Sequence, residues 1–85
     1  PPALPLKVWF NSTRVNQDFA SWIYANRDKC KIGTIALDSL EKYGYMNGLY
    51  IYLRDDKVLS LVTLLAGSSI RRVEKLVYRG DIDKY

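Results

Sequence analysis

Gly48-Leu49-Tyr50-Ile51-Tyr52-Leu53 is the stretch whose reading decides the fold. Apolar and aromatic residues alternate in it with period two. Leu49, Ile51 and Leu53 therefore project to one side of an extended strand, and Tyr50 and Tyr52 to the other. Directly downstream, Asp55 and Asp56 supply a helix cap and a first-turn carboxylate. Val58, Leu61, Val62 and Leu65 then recur at helical spacing until Gly67, a C-terminal stop. A strand feeding an amphipathic helix over 56–66 needs a sheet face for that helix to cover. The side carrying Leu49, Ile51 and Leu53 is the natural one.

The same patterns extend outward in both directions. Leu6 to Phe10 reads as a strand, with Val8 and Phe10 on one side and Lys7, Trp9 and Asn11 on the other. Asn11, Ser12 and Thr13 offer N-cap side chains for a helix over 14–27. Val15, Phe19, Trp22 and Ile23 share one face of that helix, Asp18 lies early, and Arg27, Lys29 and Lys31 supply cations near its end. The alternating, β-branched run Ile32 to Leu37 reads as a second strand with Ile35 and Leu37 facing the core. Residues 38–47 read as a connection, with Tyr43, Gly44 and Tyr45 at a loop or hairpin tip. Ile70 to Tyr78 is β-like, but Val73, Leu76 and Val77 cannot share a face in one regular strand, so a bulge or late start is expected.

The element order is strand, helix, strand, strand, helix, strand. It predicts an α+β domain of the ferredoxin-like split βαβ (βαββαβ) type, a four-stranded antiparallel sheet with two helices on one face. Residues 1–5 form an extended lead-in, 6–79 a single domain and 80–85 a polar tail. The chain opens on Pro1 and Pro2 and is expected to be a piece of, or a processed product from, a longer one.

Composition narrows the chemistry. Eighty-five residues suit one domain with a modest core, and 48% apolar against 26% charged residues is ordinary for a globular fold. No apolar stretch is long enough to span a bilayer. The single cysteine, Cys30, excludes an internal disulfide, reads as a passive thiol and fits a reducing, intracellular compartment. The chain has no histidine, which removes the usual general base, the Ser-His and Cys-His pairs and the usual nitrogen ligand for zinc. The expectation is a non-enzymatic domain with no metal and no small-molecule cofactor. A net charge of +4 favours an anionic partner.

With Val8, Phe10, Ile51 and Leu53 turned to the helices, Trp9, Tyr50 and Tyr52 emerge together from the opposite face. In a split βαβ sheet the first and third strands are central and adjacent, so these rings cluster. Lys7, Asn11 and Arg54 are expected at the border of the cluster, and Arg71, Arg72, Lys75 and Arg79 add charge around the last strand. Unpaired bases stack on such rings, and neighbouring cations hold phosphates. The candidate nucleic-acid-binding set is Trp9, Tyr50, Tyr52, Lys7, Asn11, Arg54, Arg71, Arg72 and Arg79. The same rings also suit a protein-binding or homodimer surface, or packing beneath the 38–47 segment or the tail around Tyr85.

Over residues 6–79 the chain resembles an RNA recognition motif (RRM) domain. That family carries an aromatic residue in mid first strand and two aromatics spaced by two on its third. Lys7-Val8-Trp9-Phe10-Asn11 and Gly48-Leu49-Tyr50-Ile51-Tyr52-Leu53 stand in those places. The resemblance implies that Trp9, Tyr50 and Tyr52 stack the bases of single-stranded RNA. The member is atypical: Gly48 opens the third strand where the family usually has a basic residue, and Ile51 replaces a glycine between the rings. The Gly48–Tyr52 segment, the following helix and Ile70-Arg71-Arg72-Val73 are also similar to the NusG N-terminal domain of transcription elongation factors. That second resemblance implies contact with RNA polymerase in place of free RNA. Gly48-Leu49-Tyr50 is similar to the opening of the GIY-YIG nuclease signature, whose second half is absent.

Overall fold

The computed structural model describes residues 4–76. Leu6–Phe10 (β1), Cys30–Ile32 (β2), Tyr50–Leu53 (β3) and Ile70–Lys75 (β4) form one four-stranded sheet in the order β2-β3-β1-β4. Every neighbouring pair is antiparallel. The first and third strands are therefore central and adjacent, as the order of elements implies. Leu6, Val8 and Phe10 of β1, Cys30 and Ile32 of β2, and Ile51 and Leu53 of β3 are buried in one core.

Among the described residues three helices close that core, where two were expected. Asp18–Ala25 (α1) contributes Phe19 and Ile23, and half-buried Trp22 stacks on Phe19 at 6.1 Å with the ring planes 5° apart. The helix starts later than 14 because the segment before it is used for anchoring. Asn11 Oδ1 accepts from the Thr13 amide at 2.7 Å, making a local turn in place of a cap. Buried Val15 donates its amide to the Gly44 carbonyl at 2.7 Å, and Asn16 Oδ1 accepts from the Asp18 amide at 2.9 Å. Cap chemistry thus falls on Asn16.

The largest correction lies between the second and third strands. The predicted strand over 32–37 is instead the three-residue β2 followed by a helix, Thr34–Tyr43 (α2), which also takes in most of the predicted connection over 38–47. Ala36 and Leu40, four apart on one helical face, are buried, whereas Ile35, expected in the core, is 77% exposed. Burying one side of a helix outweighs the β preference of Ile32 and Ile35, since propensity is a weak prior against packing. Gly44, at φ 73°, stops α2 in the left-handed conformation, and its amide donates to the Leu40 carbonyl at 2.9 Å. It ends a helix where a hairpin tip was expected.

Asp56–Ala66 (α3) matches its predicted span, and the Asp55 carboxylate accepts from the Val58 amide at 2.9 Å. Val58, Val62 and Ala66 form its buried stripe; Leu61, expected there, is 45% exposed. Gly67 opens a short 3-10 turn, Gly67–Ser69, that leads into β4. The last strand does carry an irregularity, but upstream of the Val73, Leu76 and Val77 phase conflict that suggested one, and Val77 and Tyr78 lie outside the described residues. Arg72 pairs with Trp9 and Ile70 with Phe10, so Arg71 is the extra residue of a bulge.

Candidate nucleic-acid interface

The sheet register sets out the face turned away from the core as two rows. Arg72, Trp9 and Tyr50 lie side by side across β4, β1 and β3. In the next row stand Glu74, Lys7, Tyr52 and Lys31, across β4, β1, β3 and β2. Alternation along each strand puts all seven side chains on one face. Trp9 and Tyr52 are half-buried, and Tyr50 is exposed.

The three rings form a chain of contacts with Tyr50 in the middle. Trp9 and Tyr50 have centroids 4.8 Å apart with planes tilted by 56°, and Tyr50 and Tyr52 meet edge-on at 5.5 Å. The cross-strand pair Trp9–Tyr50 stabilises the sheet as well as shaping its surface, and Tyr52 extends the cluster along β3. Lys7 lies in their midst, not at the border. Its Nζ is 4.0 Å from the Tyr50 ring centroid, 4.5 Å from Trp9 and 5.7 Å from Tyr52. The Arg72 guanidinium lies 4.8 Å from the Trp9 ring. Each cation is attracted by the negative face of the ring it meets. Glu74 ties the arrangement together: its carboxylate accepts from the Trp9 indole N–H and lies 3.4 Å from Arg72 Nε. Among the described residues the face therefore carries a pre-ordered aromatic cluster with three cations, Lys7, Lys31 and Arg72, and one carboxylate.

The remaining predicted residues sit differently. Asn11 is committed to structure: its amide donates to the Ser68 carbonyl at 3.0 Å while its oxygen holds the turn to Thr13. Arg54, just past β3, pairs with Asp55 at 3.3 Å and Asp28 at 3.7 Å. Arg71 is exposed at the bulge, and Arg79 lies outside the described residues. Sequence reading missed Lys31 and Glu74 as members of the face. Lys31 reads in sequence as a cation near the end of the first helix, and Glu74 becomes legible only once the bulge fixes the register of β4 with β1.

Next to Tyr50 and Tyr52 the surface falls into a groove of about 550 Å³, walled by β2, β3 and the first turn of α2. Elsewhere, burial pushes the Cys30 thiol up from its usual range, which keeps it protonated and inert. Among the described residues, no group of three or more His, Cys, Asp or Glu side chains is gathered as a metal ion needs, and no helix is long and apolar enough to cross a membrane. No protein-family model, curated protein or solved structure matches this chain.

Proposed function

We propose that this chain is a non-catalytic domain that binds single-stranded nucleic acid, RNA by preference, on the outer face of its sheet. The observation that carries this reading is the sharing of one face by Trp9, Tyr50 and Tyr52 with Lys7, Lys31 and Arg72. Bases stack on the rings at about 1–3 kcal/mol each, and the cations take phosphates. The preference for RNA rests on the resemblance of β1 and β3 to the corresponding RRM strands. In this reading the architecture is the ferredoxin-like split βαβ with α2 as an added helix between the second and third strands.

Lys7 then has two positions. In the free domain its ammonium lies over the rings. A base that stacks on Tyr50 needs the same space, so the ammonium moves from ring to phosphate as the strand arrives. The ammonium thus orders the rings of the free domain, and its departure gives up those contacts when a base takes its place.

A second reading, as a protein-docking domain, is favoured by one observation on another surface. Leu61 and Leu64, one turn apart on α3, are 45% and 84% exposed.

Fluorescence anisotropy with a labelled single-stranded RNA, titrated across a salt series, tests the proposal. The logarithm of the association constant is expected to fall linearly with the logarithm of salt, by roughly 0.7 per phosphate held. Tyr50→Ala/Tyr52→Ala, still folded by circular dichroism, is expected to lose about 1–3 kcal/mol for each base contact removed. Undiminished binding by that folded variant, or salt-independent binding, would refute the proposal.

A further inference from the structure

The outer face does not end at Tyr50 and Tyr52. β2 stops at Ile32, which pairs with Ile51, so Tyr50 has no partner on that side. The space left beside it is the groove of about 550 Å³, lined by Lys31, Gly33, Ile35 and Leu49 together with the two tyrosines. Three features set it apart from ordinary surface relief. Ile35 forms an apolar wall that buries little within the fold, being 77% exposed. A Cβ built on Gly33 meets nothing within 4 Å, so that stretch of the floor is open. Tyr50 and Tyr52 belong at once to the groove and to the aromatic cluster, so the two are continuous.

We propose that the groove seats one nucleobase that has left the stack, from the same strand whose neighbouring bases lie on the rings. This rests on the nucleic-acid reading above and adds a second kind of base contact to it. The apolar wall and the tyrosine rings suit the faces of a planar heterocycle. Lys31, on the groove and in the same row as Lys7, takes the phosphate that joins the seated base to its stacked neighbour. The lining surface is mainly apolar, with Lys31, Thr34 and the tyrosine hydroxyls as its polar groups, so the groove selects mostly by shape and size. The wall comes from α2, the helix that the alternating-strand reading did not anticipate.

Two neutral substitutions test the seat without touching the rings. Gly33→Leu fills the open floor at a backbone φ of −72° that any residue adopts, and Ile35→Ser removes the exposed wall. Both are measured, after a circular dichroism check of folding, against an RNA hexanucleotide and against six versions each carrying one abasic residue. With the wild-type domain, one abasic position is expected to weaken binding about tenfold by loss of the groove contact. Gly33→Leu is expected to weaken the intact hexanucleotide by a similar factor. The two losses are not expected to multiply: RNA abasic at that position binds wild type and Gly33→Leu within about twofold of each other. Ile35→Ser shows the same non-additivity at smaller size. Losses that multiply, or unchanged affinity in both groove variants while Tyr52→Ala weakens binding, would overturn the seat and leave the ring platform standing. A wild-type domain that binds none of these RNAs would overturn both.

Discussion

Replacing Lys7 by glutamine separates the two positions assigned to its ammonium. In the free domain Nζ lies 4.0 Å from Tyr50 and 4.5 Å from Trp9, on a half-buried side chain. A cation over one exposed ring contributes about 0.5–1 kcal/mol, and more when desolvated. With two close rings and a third at 5.7 Å, Lys7→Gln is expected to destabilise the fold by about 1–2 kcal/mol. For a domain this small, each kcal/mol lowers the melting temperature by about 4–8 °C, which near-ultraviolet circular dichroism of the aromatic cluster follows directly. The effect on RNA binding has the opposite structure. One phosphate contact is lost, so the salt slope flattens by about 0.7. The rings are also cleared, so a base no longer has to displace the ammonium. The binding lines of wild type and variant are therefore expected to converge as salt rises, with the variant equal or tighter at the high end. An unchanged melting temperature would show that the ammonium is not held by the rings. Parallel salt lines would show that it does not move to phosphate. Either result refutes the exchange.

Other outcomes follow from the fold. Ile51, fully buried at the centre of the sheet, is expected to cost about 2–5 kcal/mol as Ile51→Ala in urea denaturation at unchanged m-value. Gly44→Ala forces an L residue to φ 73° and brings its Cβ to 3.0 Å from Arg14 Nε, so a loss of roughly 1–2 kcal/mol is expected by the same method. The Val58 amide holds the Asp55 carboxyl below the usual carboxylate range. Its folded pKa is thus lower than its unfolded one, so its contribution to stability is fully present above the unfolded value and is lost as pH falls through the folded one. Melting temperatures measured on the acid side of neutrality are expected to show that loss in wild type and to lack this component in Asp55→Asn, which keeps a capping oxygen.

The parts of the fold that were legible share one property: their local pattern and their burial agree. Tyr50, Ile51 and Tyr52 alternate, and the structure buries Ile51 between two outward rings. Asp55 to Ala66 carries its own cap and stripe, and the observed helix has the predicted span. Where local preference and tertiary demand diverged, reading failed. Ile32, Thr34, Ile35 and Leu37 look like a strand, yet packing selects the helical face of Ala36 and Leu40 and leaves Ile35 outside. The candidate site shows the same limit. Period two was enough to place Trp9, Tyr50 and Tyr52 on one face. The place of Lys7 among the rings depends on cross-strand register, and the role of Glu74 depends on the bulge at Arg71; neither is written in one strand. Asn11 and Arg54 look available in sequence because part of what engages them, Ser68 for one and Asp28 for the other, lies on other segments.

The chain has two tryptophans on opposite sides of the sheet, which gives the most direct measurement an internal control. Trp9 lies in the outer ring cluster, and Trp22 stacks on Phe19 in the helical layer. In a nitrogen–proton correlation spectrum of labelled protein, single-stranded RNA is expected to shift the Trp9 indole resonance strongly as it saturates and to leave that of Trp22 in place. A stationary Trp9 signal at saturating RNA, or a shift confined to Trp22, would contradict the assignment of the outer sheet face as the binding surface.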